Sequence, residues 1–505
     1  MKNSVIKIIG AVAVINLVSR FLGFIREVII GYHFGTSFLA DSVITAYTIP
    51  NFIYVVAGGA LTTAFISVYS KSEDSIIQTQ IREVLYTYTV IIFSFISILF
   101  MVFPSFWTGI FFSGLSEAEL KTTANLFKIM APSTLFLVLS MFLSGILNVN
   151  ERFRLTAIAP LVNNVLYVLI ALLLFPILHE AAYGWGALFA SIAMLFMLIK
   201  GIRKLGLSTL KPRFSMKDKE YLVRFFKISI PILLGGATLQ FYFLIHRIFA
   251  SSLESGFISA LNYASKLVQL PQSILMAAVT TVIYPLITKR IKEQNYSELG
   301  KMYSSGMQYL LFLMIPSTIF LYFYAEEVIR IVFENGSFDY QSTLMTSNLL
   351  KITVIGMFAH AANLYVTRFY YALERAILPV VSGVLAVFGV NILIIVLFIE
   401  QYGANAIAWA TTISAFIQLV ILMLFARWKL NLVIDGIRNI LKQILLGVII
   451  VIIVIALVQW VPVKSDIIKL GIGFLTIAVC VVGGSYMLKI KEIEVLLAIG
   501  RKRKG

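Results

Sequence analysis

The residues best equipped for chemistry are charged groups set inside stretches that are otherwise long and apolar. Arg20, Arg26 and Glu27 fall in the first such stretch, Asp41 opens the second, and Lys266 lies in the eighth between Asn262 and Gln269. On a helix, Arg20 and Arg26 stand ~9 Å apart along the axis and ~120° from a shared face, so both can reach one cavity without stacking on one stripe. Glu27 adjoins Arg26 and partly neutralises it. Asn262, Lys266 and Gln269, spaced four and three apart, share a helix face. A charge at the bilayer centre costs at least ~2.5 kcal/mol on insertion scales, so these groups are candidate binding residues. Guanidinium forks suit phosphate bidentately and an ammonium adds a point charge, so the set reads as an anion site. The competing arrangement pairs Arg20 with Asp41, or lets these side chains snorkel to the interface. Arg247 and Arg368, near the ends of their stretches, read as snorkelling residues, and His246 and His360 as satisfied bundle histidines.

Covalent and metal chemistry have no comparable signal. The four histidines are scattered, no HExxH occurs, and the single Cys480 lies in an apolar run. No nucleophile–base constellation, metal site or cofactor is expected.

The elements that must position these groups follow from composition. Of 505 residues, 60% are apolar and 13% charged, about half the charge usual in soluble domains. Runs such as 155–178, 376–399 and 443–463 carry no charge at all, which is enough for spanning helices and too uniform for barrel strands. The expected fold is an all-α polytopic membrane protein of about 14 spans, near 5–30, 39–69, 83–104, 124–148, 156–178, 182–202, 225–249, 256–287, 301–324, 344–371, 377–399, 403–426, 438–460 and 468–489. No small-residue cleavage site follows the first stretch, which reads as a retained helix. The net charge of +17 would suggest nucleic acid in a soluble protein. Here it sits largely in alternate loops: Lys200 through Lys227, including Lys211, Arg213, Lys217 and Lys219; then Lys289–Lys301; then Arg501–Lys504. The opposite loops carry Glu117, Glu119, Glu180, Glu254, Glu326, Glu327, Glu334 and Asp339, with Lys464 and Lys469 as exceptions. The positive-inside rule then puts both termini in the cytoplasm and leaves no reason for a nucleic-acid partner.

The chain also resembles itself. Lys128-Ile129 and Glu151-Arg152 recur 223 residues later as Lys351-Ile352 and Glu374-Arg375. Pro160-Leu-Val-Asn-Asn-Val-Leu166 is matched 219 residues later by Pro379-Val-Val-Ser-Gly-Val-Leu385, and Thr62-Thr63 with Lys71 recurs 218 later at Thr280-Thr281 with Lys289. Near-constant offsets across six spans imply two parallel, pseudo-symmetric six-helix lobes, a transporter pattern with the site at the repeat interface. The expected organisation is an N-lobe over 1–204, a basic linker over 205–224, a C-lobe over 225–427 and a two-helix extension with a basic tail over 428–505. Breakers sit in corresponding spans: Pro50, Gly58 and Gly59 in the second, Pro271 in the eighth, with Pro231 and Gly235-Gly236 in the seventh. These read as hinges.

Leu17-Val-Ser-Arg-Phe-Leu-Gly-Phe-Ile-Arg26, Phe34-Gly35, Asp41, Ile49-Pro-Asn51 and Gly59-Ala60 resemble the MurJ (MviN) family of the multidrug/oligosaccharidyl-lipid/polysaccharide exporter superfamily. The resemblance implies a lipid II flippase with fourteen helices, two six-helix lobes and two C-terminal helices forming a lipid-binding groove. It implies that Arg20 and Arg26 line a central cavity, that Asp41 matches a family acid, and that Lys266 stands where many members carry Arg. Tyr54 and Val55 replace a frequent Arg pair, and Gly58 replaces a frequent acid. The implied partners are an undecaprenyl-pyrophosphate-linked glycan and membrane lipids, with the protein a monomer. Transport would use alternating access, driven by membrane potential or a monovalent cation. Rival readings are a flippase for another undecaprenyl-linked polysaccharide unit, a cation-coupled drug antiporter, which the basic residues disfavour, and a membrane glycosyltransferase, which would need larger outer loops.

Overall fold

The computed structural model describes residues 2–72, 74–207, 211–215, 220–235, 238–279, 283–460 and 465–493. Gly236, Thr280-Thr281, Lys217, Lys219, Lys464 and the Arg501–Lys504 tail lie outside the described residues. Every regular element among the described residues is helical. Lipid offers no partner for backbone groups, so each segment must satisfy its own. The chain divides into two compact units, Met1–Ser259 and Ala260–Gly505.

The first unit holds α1 (Lys2–Phe34), α2 (Phe38–Ile53), α3 (Gly59–Tyr69), α4 (Ser75–Val102), α5 (Pro104–Phe111), α6 (Glu117–Met130), α7 (Ser133–Val149), α8 (Phe153–Leu178), α9 (Ala181–Arg203), α10 (Glu220–Gly235) and α11 (Thr238–Ala250). α12 (Phe257–Ala278) begins at its end. α10 packs on α3 and α11 on α2, so this unit runs past the repeat boundary near residue 204. α2 and α3 form one rod through a wide π-type turn at Tyr54–Gly58, four residues after Pro50. Of the hinge candidates of the second span, Pro50 precedes this turn, Gly58 ends it and Gly59 follows it. A Cβ at Gly58 would come within 3.0 Å of Met141, whereas Gly59 faces open space. α1 lies close on α8 because Ser19 and Gly23 are small: Asn164 Nδ2 donates to the Ser19 carbonyl at 2.9 Å, and a Cβ at Gly23 would stand 3.5 Å from that amide.

The second unit continues α12, with Pro271 inside it, and holds α13 (Tyr284–Lys292), α14 (Tyr296–Phe323), α15 (Ala325–Phe333), α16 (Tyr340–Ile355), α17 (Met357–Ala372), α18 (Ile377–Val384), α19 (Ile392–Tyr402), α20 (Ala404–Leu430), α21 (Ile437–Trp460) and α22 (Asp466–Met487). Outside the bilayer-length helices, Arg330 on α15 bridges Glu334 and Asp466, tying α15 to α22.

Among the described residues, nine helical segments are long and apolar enough to cross a membrane, or eleven if the bent pairs α6–α7 and α16–α17 each count as one. The expected spans outside that number are α1, α10–α11 and α12, the segments that carry Arg20, Arg26, Glu27, Arg247 and Lys266. Features of the first unit recur in the second. α6–α7 bends by 42° and α16–α17 by 43°. Glu151 and Glu374, matched by sequence, both adopt φ 58°, a left-handed conformation uncommon for a non-glycine residue. His179 and Gly403 close α8 and α19 with nearly the same reversal, at φ 46° and 53°.

Candidate functional site

Arg26 is the centre of the polar cluster in the first unit. Its Nη2 donates to Glu27 Oε1 at 2.7 Å, and the guanidinium carbon lies 5.1 Å from the Tyr47 ring centroid and 5.0 Å from that of Tyr167. The side chains of Arg26 and Glu27 are 14% and 4% exposed. A largely desolvated cation between two π-faces gains more than it would at the surface, about 2 kcal/mol for a good contact. Three elements build this box: α1 supplies the charges, α2 supplies Tyr47, and α8 supplies Tyr167. A glycine sets the α8 wall: a Cβ at Gly186 on α9 would lie 2.9 Å from the Tyr167 carbonyl.

Arg247 joins the same cluster. From α11 its Nη1 donates to Thr48 Oγ1 at 2.6 Å, and it lies within electrostatic reach of both Glu27 and Arg26. Thr48 is in turn fixed by donating to the Ile44 carbonyl at 2.8 Å. This corrects the expectation of a snorkelling arginine: the side chain turns into α2 rather than out along its own helix. Arg26, Glu27 and Arg247 together put two guanidinium groups around one carboxylate. Such a cluster can exchange an internal anion for a phosphate oxygen without adding a new charge type.

The other candidates separate. Arg20 is exposed on α1, about one and a half turns before Arg26. Asp41 does not pair with it. Both Asp41 oxygens accept backbone N–H groups, from Gly256 at 2.6 Å and Ser259 at 2.7 Å, and the residue is buried. Asp41 therefore caps the first turn of α12, where a carboxylate meets free amides and the positive end of a helix. Its carboxylate is thus engaged by the α12 amides and not by Arg20. Gly256 makes it possible: φ is +98°, and a Cβ there would fall 2.3 Å from the Thr36 carbonyl oxygen. Lys266 is half-buried on α12 in the second unit. In that unit Gln272 Nε2 donates to the Met357 carbonyl at 3.2 Å, and Arg368 lies 6.0 Å from the Tyr284 ring with a buried, unbonded Nε. Arg368 is thus also turned inward. His246 is buried beside Tyr242, as its reading as a bundle histidine anticipates. Among the described residues no group of three or more His, Cys, Asp or Glu side chains could hold a metal ion.

Sequence reasoning missed Tyr47, Thr48, Tyr167 and the placement of Arg247. A lone arginine in an apolar run was the available signal for Arg247. The tyrosines carried none, because 23 tyrosines are spread through the chain.

The profile of the family described as "Lipid II flippase MurJ" matches residues 30–477. The chain is 29% identical over 409 residues to the "Probable lipid II flippase MurJ" of Thermotoga maritima, covering 80% of this chain and 82% of that protein. It is 26% identical over 442 residues to the protein of the same name in Rhizobium meliloti, covering 84% and 81%. Among solved structures, "Lipid II flippase MurJ, inward closed conformation" shares the fold with TM-score 0.83 and 24% identity, covering 94% of this chain and 98% of that one. An inward-facing multidrug resistance MATE family transporter of the MOP superfamily aligns with TM-score 0.68 and 10% identity, covering 83% and 98%. The fold is that of the superfamily, and the chain belongs to the lipid II flippase MurJ family.

Proposed function

We propose that this protein moves lipid II, the lipid-linked peptidoglycan precursor, across the bacterial cytoplasmic membrane as a flippase rather than an enzyme. The observation that carries the reading, beside family membership, is the buried Arg26–Glu27–Arg247 cluster, which is built to meet an anion and would be costly without a purpose. The headgroup pyrophosphate takes the place of Glu27 at the guanidinium groups, with Arg20 adding positive charge on the same helix; Lys266 is a further substrate-binding candidate in the second unit. The lipid tail stays in the bilayer. Fourteen spans, two six-helix lobes and cytoplasmic termini are the arrangement in which a monomer alternates access. An inside-negative potential contributes about 2.3 kcal/mol per charge per 100 mV toward moving an anionic headgroup outward.

The test is rescue of a lipid II flippase depletion strain. Wild type should rescue, while Arg26→Ala and Arg247→Ala should not at normal membrane levels, and Arg20→Ala should weaken rescue. Rescue by the Arg26→Ala/Arg247→Ala double variant would sink the cluster as the substrate site. Failure of wild type together with restored export of a different glycan would redirect the reading to another undecaprenyl-linked substrate.

A further inference from the structure

One buried amide beside the arginine box is only half used. Asn163 lies on α8 four residues before Tyr167, so the two side chains share a face of that helix. Tyr167 presents its ring to Arg26 at 5.0 Å. Tyr47 closes on both, 5.1 Å from the guanidinium carbon and 5.8 Å from Tyr167 between ring centroids. The Tyr47 hydroxyl is hydrogen-bonded by two side chains, Arg26 from α1 and Asn163 from α8. Asn163 Oδ1 is buried without a hydrogen-bond partner, so its bond to Tyr47 is made through Nδ2. Asn163 is 8% exposed, whereas Tyr47, which it touches, is half-buried. The neighbouring Asn164 is engaged elsewhere, donating to the Ser19 carbonyl on α1.

A buried acceptor left without a donor is costly, so an unused carbonyl in the box marks a place for a donor that the chain does not supply. The two ends of one amide group are closer together than the heavy atoms of a hydrogen bond. Oδ1 therefore sits beside the Tyr47 hydroxyl, itself bonded to the Arg26 guanidinium. A ligand whose anion meets Arg26 has to carry its donor only a few bonds from the phosphate. An amide N–H suits this point better than a hydroxyl. A hydroxyl brings lone pairs that need donors of their own, whereas an amide nitrogen accepts nothing. The donors at this point are already engaged, Arg26 with Tyr47 and Glu27, and Asn163 with Tyr47. A sugar joined to pyrophosphate through C1 has such an N–H in the right place when C2 bears an acetamido group, and the methyl of that group suits the aromatic walls.

We propose that Asn163 is a specificity residue that accepts, through Oδ1, the N–H of a 2-acetamido group on the sugar attached to the pyrophosphate. The inference rests on the reading of the Arg26 cluster as the pyrophosphate site and deepens it: the cluster holds the charge, and Asn163 distinguishes the sugar next to it.

The experiment titrates the purified full chain with two carriers that differ only at C2 of the sugar, undecaprenyl-pyrophosphate-linked N-acetylglucosamine and the corresponding glucose compound. Wild type should bind the acetamido carrier about tenfold more tightly. Arg26→Ala should weaken both carriers alike and keep that ratio. Asn163→Leu, close in size and without a polar end, should bring the two carriers within about twofold of each other. Asn163→Asp keeps an acceptor and should keep the preference, while its added charge weakens both carriers; it decides the matter should the Leu variant fail to fold. A wild type that needs Arg26 but binds both carriers equally, a Leu variant with the wild-type ratio, or an Asp variant without a preference would overturn the inference and leave the pyrophosphate site standing. A wild type that binds neither carrier, or an Arg26→Ala variant that binds both as wild type does, would overturn the pyrophosphate site and this inference with it.

Discussion

Replacing Tyr47 tests whether the aromatic box tunes the Arg26 cation. The guanidinium lies 5.1 Å from this ring and 5.0 Å from Tyr167, and the arginine side chain is only 14% exposed. At that desolvation a cation–π contact contributes about 1–2 kcal/mol. Tyr47→Leu removes one of the two faces, and every 1.4 kcal/mol is tenfold, so lipid II should bind about 5–30-fold more weakly. Tyr47→Phe keeps the face and should bind within about twofold of wild type. Tyr47 is the better probe because Tyr167 is 1% exposed, and its truncation would add a cavity penalty of about 3–5 kcal/mol. The assay is titration of the purified protein with lipid II, with the unfolding midpoint recorded for each variant. A Leu variant that binds like wild type at an unchanged midpoint would refute the box as an energetic part of the site. So would equal losses for Phe and Leu, which would assign the effect to the hydroxyl.

Other outcomes follow from single contacts. Asp41→Ala removes the acceptor of two amides at the start of α12 and should cost about 0.5–2 kcal/mol, read as faster hydrogen exchange over 257–262 than in wild type; unchanged exchange would contradict the capping role. Gly256→Ala should lower the unfolding midpoint, because a Cβ at φ +98° meets the Thr36 carbonyl oxygen at 2.3 Å; a midpoint equal to wild type would mean the turn relaxes freely. Asp339 caps α16, and the Ser342 N–H holds its carboxyl below the usual range. A carboxyl depressed in the folded state contributes stability that is full above its unfolded value of about 3.9 and lost as pH falls toward the folded one. Exchange over 340–345 should therefore be flat from neutrality to about pH 5, after correction for intrinsic rates, and rise only below about pH 4.

Much of the architecture was legible because lipid permits few solutions. Charge-free runs had to be helices, and the matched Glu151 and Glu374 proved to mark matched left-handed turns. Arg26 was legible because a charge in an apolar run is costly in any arrangement. What was not legible depended on which helices meet. Arg247 looked like an end-of-span residue until α11 was seen against α2, since nothing local distinguishes an arginine reaching outward from one reaching Thr48. Asp41 looked like part of the charged set because its true partners are backbone amides, which have no signature of their own in a sequence. Tyr47 and Tyr167 were hidden for the opposite reason: aromatic residues are so common here that spacing singles none of them out.

The two halves of the chain agree in their joints and differ in their charges. The bend of 42° in one is 43° in the other, and the reversals at His179 and Gly403 are nearly superposable. Yet Tyr167, one wall of the arginine box, has Ala386 as its counterpart at the Pro160–Pro379 spacing. The bends are thus alike in the two halves, while one wall of the arginine box has no aromatic counterpart. A scaffold divided in this way can alter a few side chains on α1, α2, α8 and α11 while its bends stay the same.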